Sequence, residues 1–546
     1  MSLLKIFWLY FHTLRHLKFA QVYGRLAFHI RSPKPDMRIA PSLRRLEAVW
    51  SEPLSREQSM LEEERFRFLN IENELPKGWN SQSVEKLWLY NLHYFDDLNA
   101  RSSAVRRSWH LKLISRWIAE NRPGVGLGWD PYPISLRVVN WIKWLLADNH
   151  PNADILNSLA VQLRFLASRL EFHLLGNHLL ANAKALIFGG LFFEGIEAEN
   201  WYCLGTKIMK EQLDEQILAD GAHFERSPMY HSLLMEDLLD LFNLHIGYGK
   251  SVEATWLDKY SKMFIWLRAM THPDGEIAFF NDAATGVAPK LKDLKDYVFR
   301  LGMQSFLQRS ELPCRLIESG YARIDNGDAV MISDVGSVGP DYLPGHAHAG
   351  TLSFELSLAG SRVLVNSGTS VYGIGKERLR QRGTAAHNTL RLDEYDSSEV
   401  WSGFRVARRA RTFDVRIDDL TVEAKHDGYK RLSGKPIHSR KWEAIKNGFN
   451  VFDELVGRGS HQVEVFFYIH PEWIPLLKGD SLCEMIREES SYYFFMHLDS
   501  RMSWRIEPST WHPQFGLSLP NFLLVGSIKQ EFPLQFVTRL SWQCVS

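Results

Sequence analysis

The pattern of apolar residues changes once along the chain, near residues 310–320, from helical spacing to strand-like alternation. From about 85 to 310, apolar side chains recur every three or four residues in segments of helix length. These segments are 135–148, 155–175, 178–193, 205–218, 232–246 and 256–270. After about 315 the apolar runs are short, often alternate with polar residues and end at Gly, Asp, Asn or Pro, which is typical of strands.

A run of helices followed by a run of strands predicts two packed units. We therefore predict an α+β multidomain protein, with an N-terminal (α/α) toroid of antiparallel helix pairs followed by a C-terminal antiparallel β-sandwich. The expected boundaries are 1–84 for an irregular and partly helical extension, 85–315 for the toroid and 316–546 for the sandwich. A cleft between the two larger units is where a ligand is expected to bind.

The charge balance limits the class of partner. Lys and Arg number 64, and Asp and Glu also number 64, so the formal net charge is zero. This balance argues against nucleic acid as a partner of the whole protein. The four cysteines form no CxxC pair, which excludes a zinc ribbon or a dense disulfide scaffold.

The N-terminus, MSLLKIFWLYFHTLRHLKF, mixes large apolar residues with Lys, Arg and His. Its uncharged run is far shorter than the ~20 residues of a membrane span. It also lacks the small-residue cleavage site of a secretory signal. Two interpretations stay open, a helix packed on the body of the protein and an amphipathic helix in peripheral contact with a membrane surface.

The segment LLGNHLLANAK contains the first candidate site residues, Asn177 and His178. Gly176 before Asn177 predicts a helix that begins at the asparagine, a residue type that caps helices well. His178 would then lie in the first helical turn. The alternative is that both residues serve only the helix end.

The segment DGAHFERSPMYH predicts a second helix start, with Ser227 as its cap and Pro228 at its first position. This places Tyr230 and His231 near the positive end of a helix, where the field can lower the pKa of a tyrosine. The alternative is a helix cap followed by buried aromatic residues.

Two further segments in the strand region carry histidines. His346 and His348 are two residues apart at an expected strand start, so both imidazoles would share one face. Strand pairing could bring Asn366 of VNSGT next to them, and RQRGTAAHNTL adds Arg382 and His387. The alternative interpretation is surface histidines or structural histidines of the core.

Taken together and in this order, NHLLANAKAL, DGAHFERSPMYH, GHAHAGTLSFEL, VNSGT and RGTAAHNTL resemble the heparinase II/III family of polysaccharide lyases. The resemblance spans roughly residues 80–420 and agrees with the predicted toroid and sandwich. It implies a lyase that cleaves a uronic-acid-containing glycan by β-elimination, in a subset associated with cell-surface polysaccharide metabolism.

The resemblance also implies roles for individual residues. Asn177 corresponds to the residue that neutralises the uronate carboxylate. Tyr230 and His346 correspond to the catalytic acid and base, and the uronate epimer decides which of the two is the base. The residues expected around the substrate are His178, Arg226, His231 and Arg382.

This chemistry requires no cofactor, but some family members hold a structural zinc through two histidines and an aspartate. The matching positions are His348, Asn366 and His387, so an uncharged and poorer ligand replaces the aspartate. The expected partner is an anionic polysaccharide, and the oligomeric state is left open.

Two alternatives to the lyase remain at this point. One is a uronate C5-epimerase on the same scaffold, because it removes the same proton. The other is a glycan-binding or assembly protein without catalytic activity. The resemblance favours the cell envelope, specifically the periplasm, as the location, whereas the lack of a clear cleavable signal favours the cytoplasm.

Overall fold

The computed structural model describes residues 3–30, 32–75, 78–147, 149–307, 312–488 and 490–544. Within them, helices dominate as far as Arg300 and strands dominate from Arg315 onward. The predicted order of a helical toroid followed by an antiparallel sandwich is therefore confirmed. Residues 310 and 311 of the predicted change-over near 310–320 lie outside the described residues.

Six of the helices among the described residues correspond to the six predicted segments, although the one expected to begin at 205 begins earlier, at Ile196. The described helices are α1 (Leu3–Leu14), α2 (Phe19–Ile30), α3 (Lys86–Tyr94), α4 (Arg107–Glu120), α5 (Pro131–Leu146), α6 (Ala153–Ser168), α7 (Gly176–Phe192), α8 (Ile196–Gln216), α9 (Pro228–Gly247), α10 (Ala254–Ala269), α11 (Leu291–Arg300) and α12 (Lys376–Arg382). The helix expected over 155–175 ends earlier, at Ser168. The chain then turns, and the Glu171 amide donates to Asn182 Oδ1 of α7 at 2.9 Å.

The N-terminal extension contains more regular structure than its prolines suggested. Besides α1 and α2 it forms a three-stranded antiparallel sheet of β1 (Met60–Glu62), β2 (Arg65–Phe68) and β3 (Ile71–Glu74). In β2 the alternating residues Phe66 and Phe68 are buried, and Phe68 packs edge-on to Trp88 at 5.1 Å. This alternation attaches the sheet to the outside of the toroid.

Helices α7 and α8 form the closest helix pair of the toroid. A Cβ atom added at Gly190 would lie 2.5 Å from the backbone nitrogen of Tyr202. One added at Gly205 would lie 2.8 Å from the carbonyl oxygen of Ala183. The two backbones therefore touch where glycines face them, and α7 is buried along most of its length.

The strands that follow are short and mostly amphipathic. They are β4 (Arg315–Leu316), β5 (Tyr321–Asn326), β6 (Ala329–Asp334), β7 (Phe354–Leu358), β8 (Ser361–Leu364), β9 (Leu390–Leu392), β10 (Val400–Trp401), β11 (Arg405–Val406), β12 (Thr412–Ile417), β13 (Thr421–His426), β14 (Ile437–Ile445), β15 (Gly448–Val456), β16 (Ser460–Ile469), β17 (Ile474–Leu477), β18 (Leu482–Ile486), β19 (Tyr492–His497), β20 (Ser503–Trp511), β21 (Leu519–Glu531) and β22 (Leu534–Cys544).

Two large antiparallel sheets make up the sandwich. One has the order β12-β13-β14-β15-β22-β19-β18-β17, and the other has the order β20-β21-β16-β8-β7-β6-β5-β4, with β9 also paired to β16. Their inner faces share one apolar core, in which Phe354 of one sheet packs edge-on to Trp442 of the other, with ring centroids 6.2 Å apart. Burial of this core is the main source of the sandwich's stability.

The chain between α10 and α11 joins the toroid to the sandwich. The Arg323 guanidinium of β5 donates to the carbonyls of Ala269 and Thr271, at 3.1 and 2.9 Å. Buried apolar residues from both units, including Trp266 and Ile332, form a separate small core there. This segment carries Asp282 into the seam between the two units.

Candidate active site

Tyr230 and His346 meet at the seam. Tyr230 lies in the first turn of α9, where the Ser227 hydroxyl accepts a hydrogen bond from the Tyr230 amide and Pro228 occupies the first helical position, as the sequence predicted. His346 comes from the loop before β7. Their ring centroids are 4.0 Å apart, and the Tyr230 hydroxyl lies 2.8 Å from the Tyr372 hydroxyl. The structure therefore brings these two predicted catalytic residues into contact.

The Tyr230 phenol differs from expectation in its acidity. The field of the helix end was expected to lower its pKa. Instead burial, the neighbouring Tyr372 and the carboxylate of Asp282 raise the pKa of Tyr230 well above its usual value. A neutral phenol at physiological pH is suited to donate a proton rather than to accept one.

Asp282 fixes the orientation of His346. Its Oδ2 lies 2.8 Å from His346 Nδ1, and its Oδ1 lies 2.9 Å from His348 Nε2. The Arg378 guanidinium also donates to both oxygens. Burial alone would raise the pKa of Asp282, but Arg378 and the two imidazoles hold it well below its usual range. An anionic Asp282 keeps the proton of His346 on Nδ1, which leaves Nε2 as the basic atom.

The loop that holds His346 and His348 is not the predicted strand, since β7 begins only at Phe354. The two imidazoles still point to one place, because both bind the same carboxylate. No local pattern indicated that Asp282, Arg378 and Tyr372 would complete the site. Arg378 precedes Arg382, which the sequence singled out, and both lie on the short helix α12.

Glu225 lies on the other side of the His346 ring. Its carboxylate is 3.7 Å from His346 Nε2, its side chain is 1% exposed and neither oxygen has a hydrogen-bond partner among the described residues. Burial raises the pKa of Glu225. Burial therefore makes the proton of this carboxyl group harder to remove than that of an exposed glutamate.

Gly176 makes room for Glu225. It has a φ of +56°, and a Cβ atom there would lie 2.8 Å from Glu225 Oε1 and 2.5 Å from the Leu343 side chain. Because both the conformation and the space favour glycine, the turn before α7 can press its backbone against Glu225. The residue before Asn177 therefore lies directly beside Glu225.

Asn177 is not the helix cap that the sequence suggested. Helix α7 begins at Gly176, so Asn177 lies within the first turn, and Leu175 at the cap position makes no side-chain cap bond. The half-buried Asn177 side chain makes no hydrogen bond to any residue that the structure describes. Its amide therefore remains available to a ligand.

His178, predicted to bind substrate, follows Asn177 in the first turn of α7. Its Nδ1 is 3.1 Å from Glu171 Oε1, and its ring packs against Tyr132 at 4.5 Å. Burial opposes a charge on His178, but Glu171 outweighs it and raises the pKa of the imidazole. A third of the side chain is exposed.

Two predicted substrate-binding residues instead stabilise the fold. Arg226 has a φ of +57°, and its guanidinium donates to the carbonyls of Ser337 and Glu318 in the sandwich. His231 is fully buried, with Nε2 3.0 Å from the Met263 carbonyl, and burial lowers its pKa to about 3. Both side chains are engaged in intramolecular hydrogen bonds, so the structure does not leave them free to bind substrate as the sequence predicted.

The expectation for Arg382 was wrong for the same reason. This residue is fully buried and donates two hydrogen bonds to the Ala347 carbonyl, at 3.1 and 2.9 Å, and one to Gly403. Burial lowers its pKa to about 9. Since Ala347 lies between His346 and His348, Arg382 positions the catalytic loop rather than the substrate.

The predicted zinc ligands come together only in part. His348 Nδ1 lies 3.1 Å from His387 Nε2. The Asn366 amide is already used, because its Nδ2 donates to the Phe279 carbonyl and its Oδ1 accepts from the Asn388 amide. Among the described residues, no group of three or more His, Cys, Asp or Glu could hold a metal ion. Two imidazoles fall short of a zinc site's usual ligand set, so no step below involves a metal.

Comparison with known proteins agrees with this architecture. The model of the heparinase II/III N-terminus matches residues 104–306, and that of the heparinase II/III-like C-terminal domain matches residues 311–542. The chain belongs to the heparinase II/III family. Both halves of the family fold are therefore present, in the order that the sequence predicted.

Two of the relatives differ in how much of their length matches this chain. A heparin-sulfate lyase of Bacteroides stercoris is 26% identical over 315 residues, which cover 54% of this chain and 45% of the relative. The chain spans about half the length of the lyases it matches. The FtsZ-localized protein C of Caulobacter vibrioides is 25% identical over 479 residues, which cover 81% of this chain and 79% of that protein.

Solved structures show the same fold. A heparinase III has a TM-score of 0.69 and 18% identity, and the match covers 97% of this chain and 85% of that one. The heparan sulfate lyase of Pedobacter heparinus has a TM-score of 0.60 and 17% identity, covering 96% and 88%. At such low identity, these likenesses concern the fold alone.

Proposed function

We propose that this protein is a polysaccharide lyase that cleaves a uronic-acid-containing glycan by β-elimination. The observation that carries the proposal is the contact between the Tyr230 phenol and the His346 imidazole at the seam. Unpaired amide and carboxyl groups, those of Asn177 and Glu225, line the adjoining wall. This set matches the needs of the reaction, which are an acid, a base and donors for a carboxylate.

The proposed first step is removal of the C5 proton. Asn177 and the neutral form of Glu225 donate hydrogen bonds to the uronate carboxylate, which spreads the negative charge that develops when the proton leaves. His346 Nε2 accepts the proton, while Asp282 holds the opposite nitrogen and stabilises the imidazolium. The electron pair of the C5–H bond becomes the C4–C5 double bond.

The proposed second half of the reaction breaks the C4–O4 bond. The electron pair of this bond leaves with O4, which takes the proton of the Tyr230 hydroxyl. Tyr372, 2.8 Å from that hydroxyl, can support the phenolate by a hydrogen bond. The products are an unsaturated uronate and a new chain end.

The geometry also favours a class of substrate. Because the rings of Tyr230 and His346 touch, with centroids 4.0 Å apart, a sugar cannot lie between them and must meet both on one face. Acid and base on one face favour elimination in which the C5–H and C4–O4 bonds are on the same side. We infer a preference for 4-linked D-glucuronate or D-mannuronate over L-iduronate or D-galacturonate.

The same contact argues against the epimerase alternative. Inversion at C5 returns the proton to the face opposite the one it left, so it needs proton-transferring groups on both faces of the sugar. An epimerase would exchange the C5 hydrogen with solvent deuterium without forming an unsaturated product.

One observation favours a role in assembly without catalysis. The relative that matches over most of both chains is called FtsZ-localized protein C, a name that states where that protein is found. Under this alternative the chain would bind glycan but not cleave it. The side chains of Asn177 and Glu225, which make no hydrogen bond among the described residues, favour catalysis. A purely structural site would satisfy these groups internally.

A matched pair of variants tests the proposal. Purified protein is incubated with a panel of the four uronate polysaccharides while the ultraviolet absorbance of the unsaturated product is recorded. Tyr230→Phe and Tyr372→Phe each remove the same hydrogen bond. We expect Tyr230→Phe to lose roughly 10²–10⁴-fold in turnover, and Tyr372→Phe less than about tenfold. Equal losses would contradict the role of Tyr230 as the acid, and no product from any glycan would contradict the lyase.

We further propose that the reaction needs no metal or other cofactor and that the protein works in the cell envelope, in contact with a membrane through its N-terminal helix. The family resemblance supports the periplasm, and the cytoplasm is the alternative. Metal analysis of purified protein and fractionation of cells that express a tagged chain test these two statements.

A further inference from the structure

The two N-terminal helices, α1 and α2, leave much of their apolar surface uncovered. In α2, the side chains of Phe19, Val22, Tyr23, Leu26 and Ile30 are 82, 48, 59, 59 and 80% exposed. Their spacing of three and four residues puts them on one face. In α1, the exposed residues Leu4, Phe7, Trp8, Phe11 and Leu14 repeat the same spacing. Each helix therefore exposes an apolar stripe, and we call the two stripes together the apolar patch. Exposed apolar surface of this extent marks an interaction site.

The segment that carries these stripes is basic, although Lys18 is paired with Glu215 of the toroid. The first 35 residues contain six Lys or Arg and no Asp or Glu, although the chain as a whole is neutral. Arg15 and Arg25 are exposed beside the apolar stripes. An apolar stripe bordered by basic residues is the pattern of helices that lie in the surface of an anionic bilayer. A protein partner of ordinary composition would not require this imbalance.

The helix pair is attached to the protein close to the catalytic cleft. In α1, the Thr13 hydroxyl accepts a hydrogen bond from Trp401 Nε1 at 3.1 Å. In α2, Gln21 Nε2 donates to the Tyr342 carbonyl at 3.2 Å, four residues before His346. Phe28 packs on His173 at 4.1 Å, four residues before Asn177. The inner side of the helix pair therefore contacts the segments that precede His346 and Asn177.

We propose that α1 and α2 together dock the protein on an anionic lipid bilayer and hold the mouth of the cleft at the bilayer surface. No described helix is long and apolar enough to cross a membrane, so the contact runs along the surface. The substrate would then be an anionic glycan held near the lipid, and this last clause rests on the proposed lyase function. The docking itself does not depend on that function.

The test uses the full chain and vesicles of defined lipid. Protein is sedimented with vesicles of phosphatidylcholine alone or of phosphatidylcholine mixed with phosphatidylglycerol. We expect binding to the anionic vesicles to be stronger by roughly tenfold or more and to weaken as salt is added. Absence of binding to both kinds of vesicle, or equal binding to both, would overturn the proposal.

A pair of double variants separates docking from general surface effects. Phe7→Glu with Leu26→Glu places charge on the outward stripes of α1 and α2. Val105→Glu with Ile196→Glu makes the same change of charge at residues of the toroid that are 81 and 85% exposed. We expect the first pair to lose vesicle binding by about tenfold or more, and the second pair to keep it. Equal losses in both would contradict a specific docking surface.

Two controls keep the outcomes distinct. Thermal unfolding shows whether both double variants remain folded, and elimination of a soluble glycan should be the same for both and for the wild type. If the wild type binds vesicles but cleaves nothing, the lyase proposal fails and the docking surface stands. If sedimentation velocity shows a dimer that the first variant dissociates, and vesicles do not bind, the patch contacts a second copy and the docking proposal fails.

Discussion

Two carboxylates flank the ring of His346 and are equally hidden from water, yet their surroundings are opposite. Asp282 is fully buried and binds Arg378, His346 and His348. Glu225 is 1% exposed, accepts no hydrogen bond among the described residues and has only the longer 3.7 Å contact with His346 Nε2. A buried carboxylate without a partner costs free energy. The fold thus uses one carboxylate to hold the base and keeps the other available, at some loss of stability, for a group that arrives with the substrate.

The largest effect is expected from Asp282→Asn. The change removes the negative charge and leaves the Arg378 guanidinium buried without a counter-ion. Breaking a buried pair in this way costs about 3–5 kcal/mol. Urea denaturation of the variant measures the loss. The matched control is Asp325→Asn, because Asp325 pairs with Arg323 but is half exposed, and it should cost less than about 1 kcal/mol. Similar losses of unfolding free energy in the two variants would contradict the claim that the buried Asp282–Arg378 pair contributes more to stability than an exposed pair.

Glu225 should behave in the opposite way. Replacing it with an uncharged residue removes the free-energy cost of burying its carboxyl group. Glu225→Gln and Glu225→Leu are both expected to raise the free energy of unfolding at neutral pH, by about 1 kcal/mol. Their activities should differ, because the amide of Gln can still donate to a uronate carboxylate. We expect Leu to lose roughly 10²-fold in turnover and Gln less than about tenfold.

Steady-state kinetics on a glucuronate oligosaccharide separates these outcomes. A loss in Gln as large as that in Leu would mean that Glu225 acts as a charged base and not as a neutral donor. Destabilisation by both variants would mean that Glu225 has a structural role, like Asp282.

The pH dependence of stability should have opposite signs at the two carboxylates. Burial raises the pKa of Glu225, so its contribution to stability is full at low pH and is lost as pH rises through the raised native value. The pKa of Asp282 is lowered, so its contribution is present above the ordinary carboxyl range and is lost as pH falls. This is the smallest of the three effects.

Urea denaturation of the wild type and Glu225→Gln from about pH 4 to pH 8 measures the first sign. The advantage of Glu225→Gln over the wild type should grow with pH. A difference that stays constant across this range would show that Glu225 keeps the same protonation state when the protein unfolds.

Much of the architecture was accessible from the sequence because it depends on local patterns. The apolar spacing predicted α5 to α10 to within a few residues at most ends, and Ser227 and Pro228 fixed the start of α9. The small sheet of β1 to β3 was missed, because strands of three or four residues between prolines leave little periodicity to read.

The candidate site was accessible only in part, because it is assembled from distant segments. Tyr230 and His346 followed from motif order, but Asp282 comes from a loop with no recognisable pattern. Arg226 and Arg382 have the chemistry of substrate-binding residues, yet they donate to backbone carbonyls instead. A sequence shows which side chains carry charge, whereas the tertiary structure decides whether that charge faces a ligand or the backbone.

The most direct test of the mechanism follows the C5 proton itself. A 4-linked glucuronate oligosaccharide is prepared with either hydrogen or deuterium at C5, and the rates of unsaturated product formation by the wild type are compared. We predict that the product forms and that deuterium slows kcat/KM, since the C5–H bond breaks in the step that His346 serves. Cleavage without an unsaturated product, at a rate unaffected by deuterium, would contradict the account.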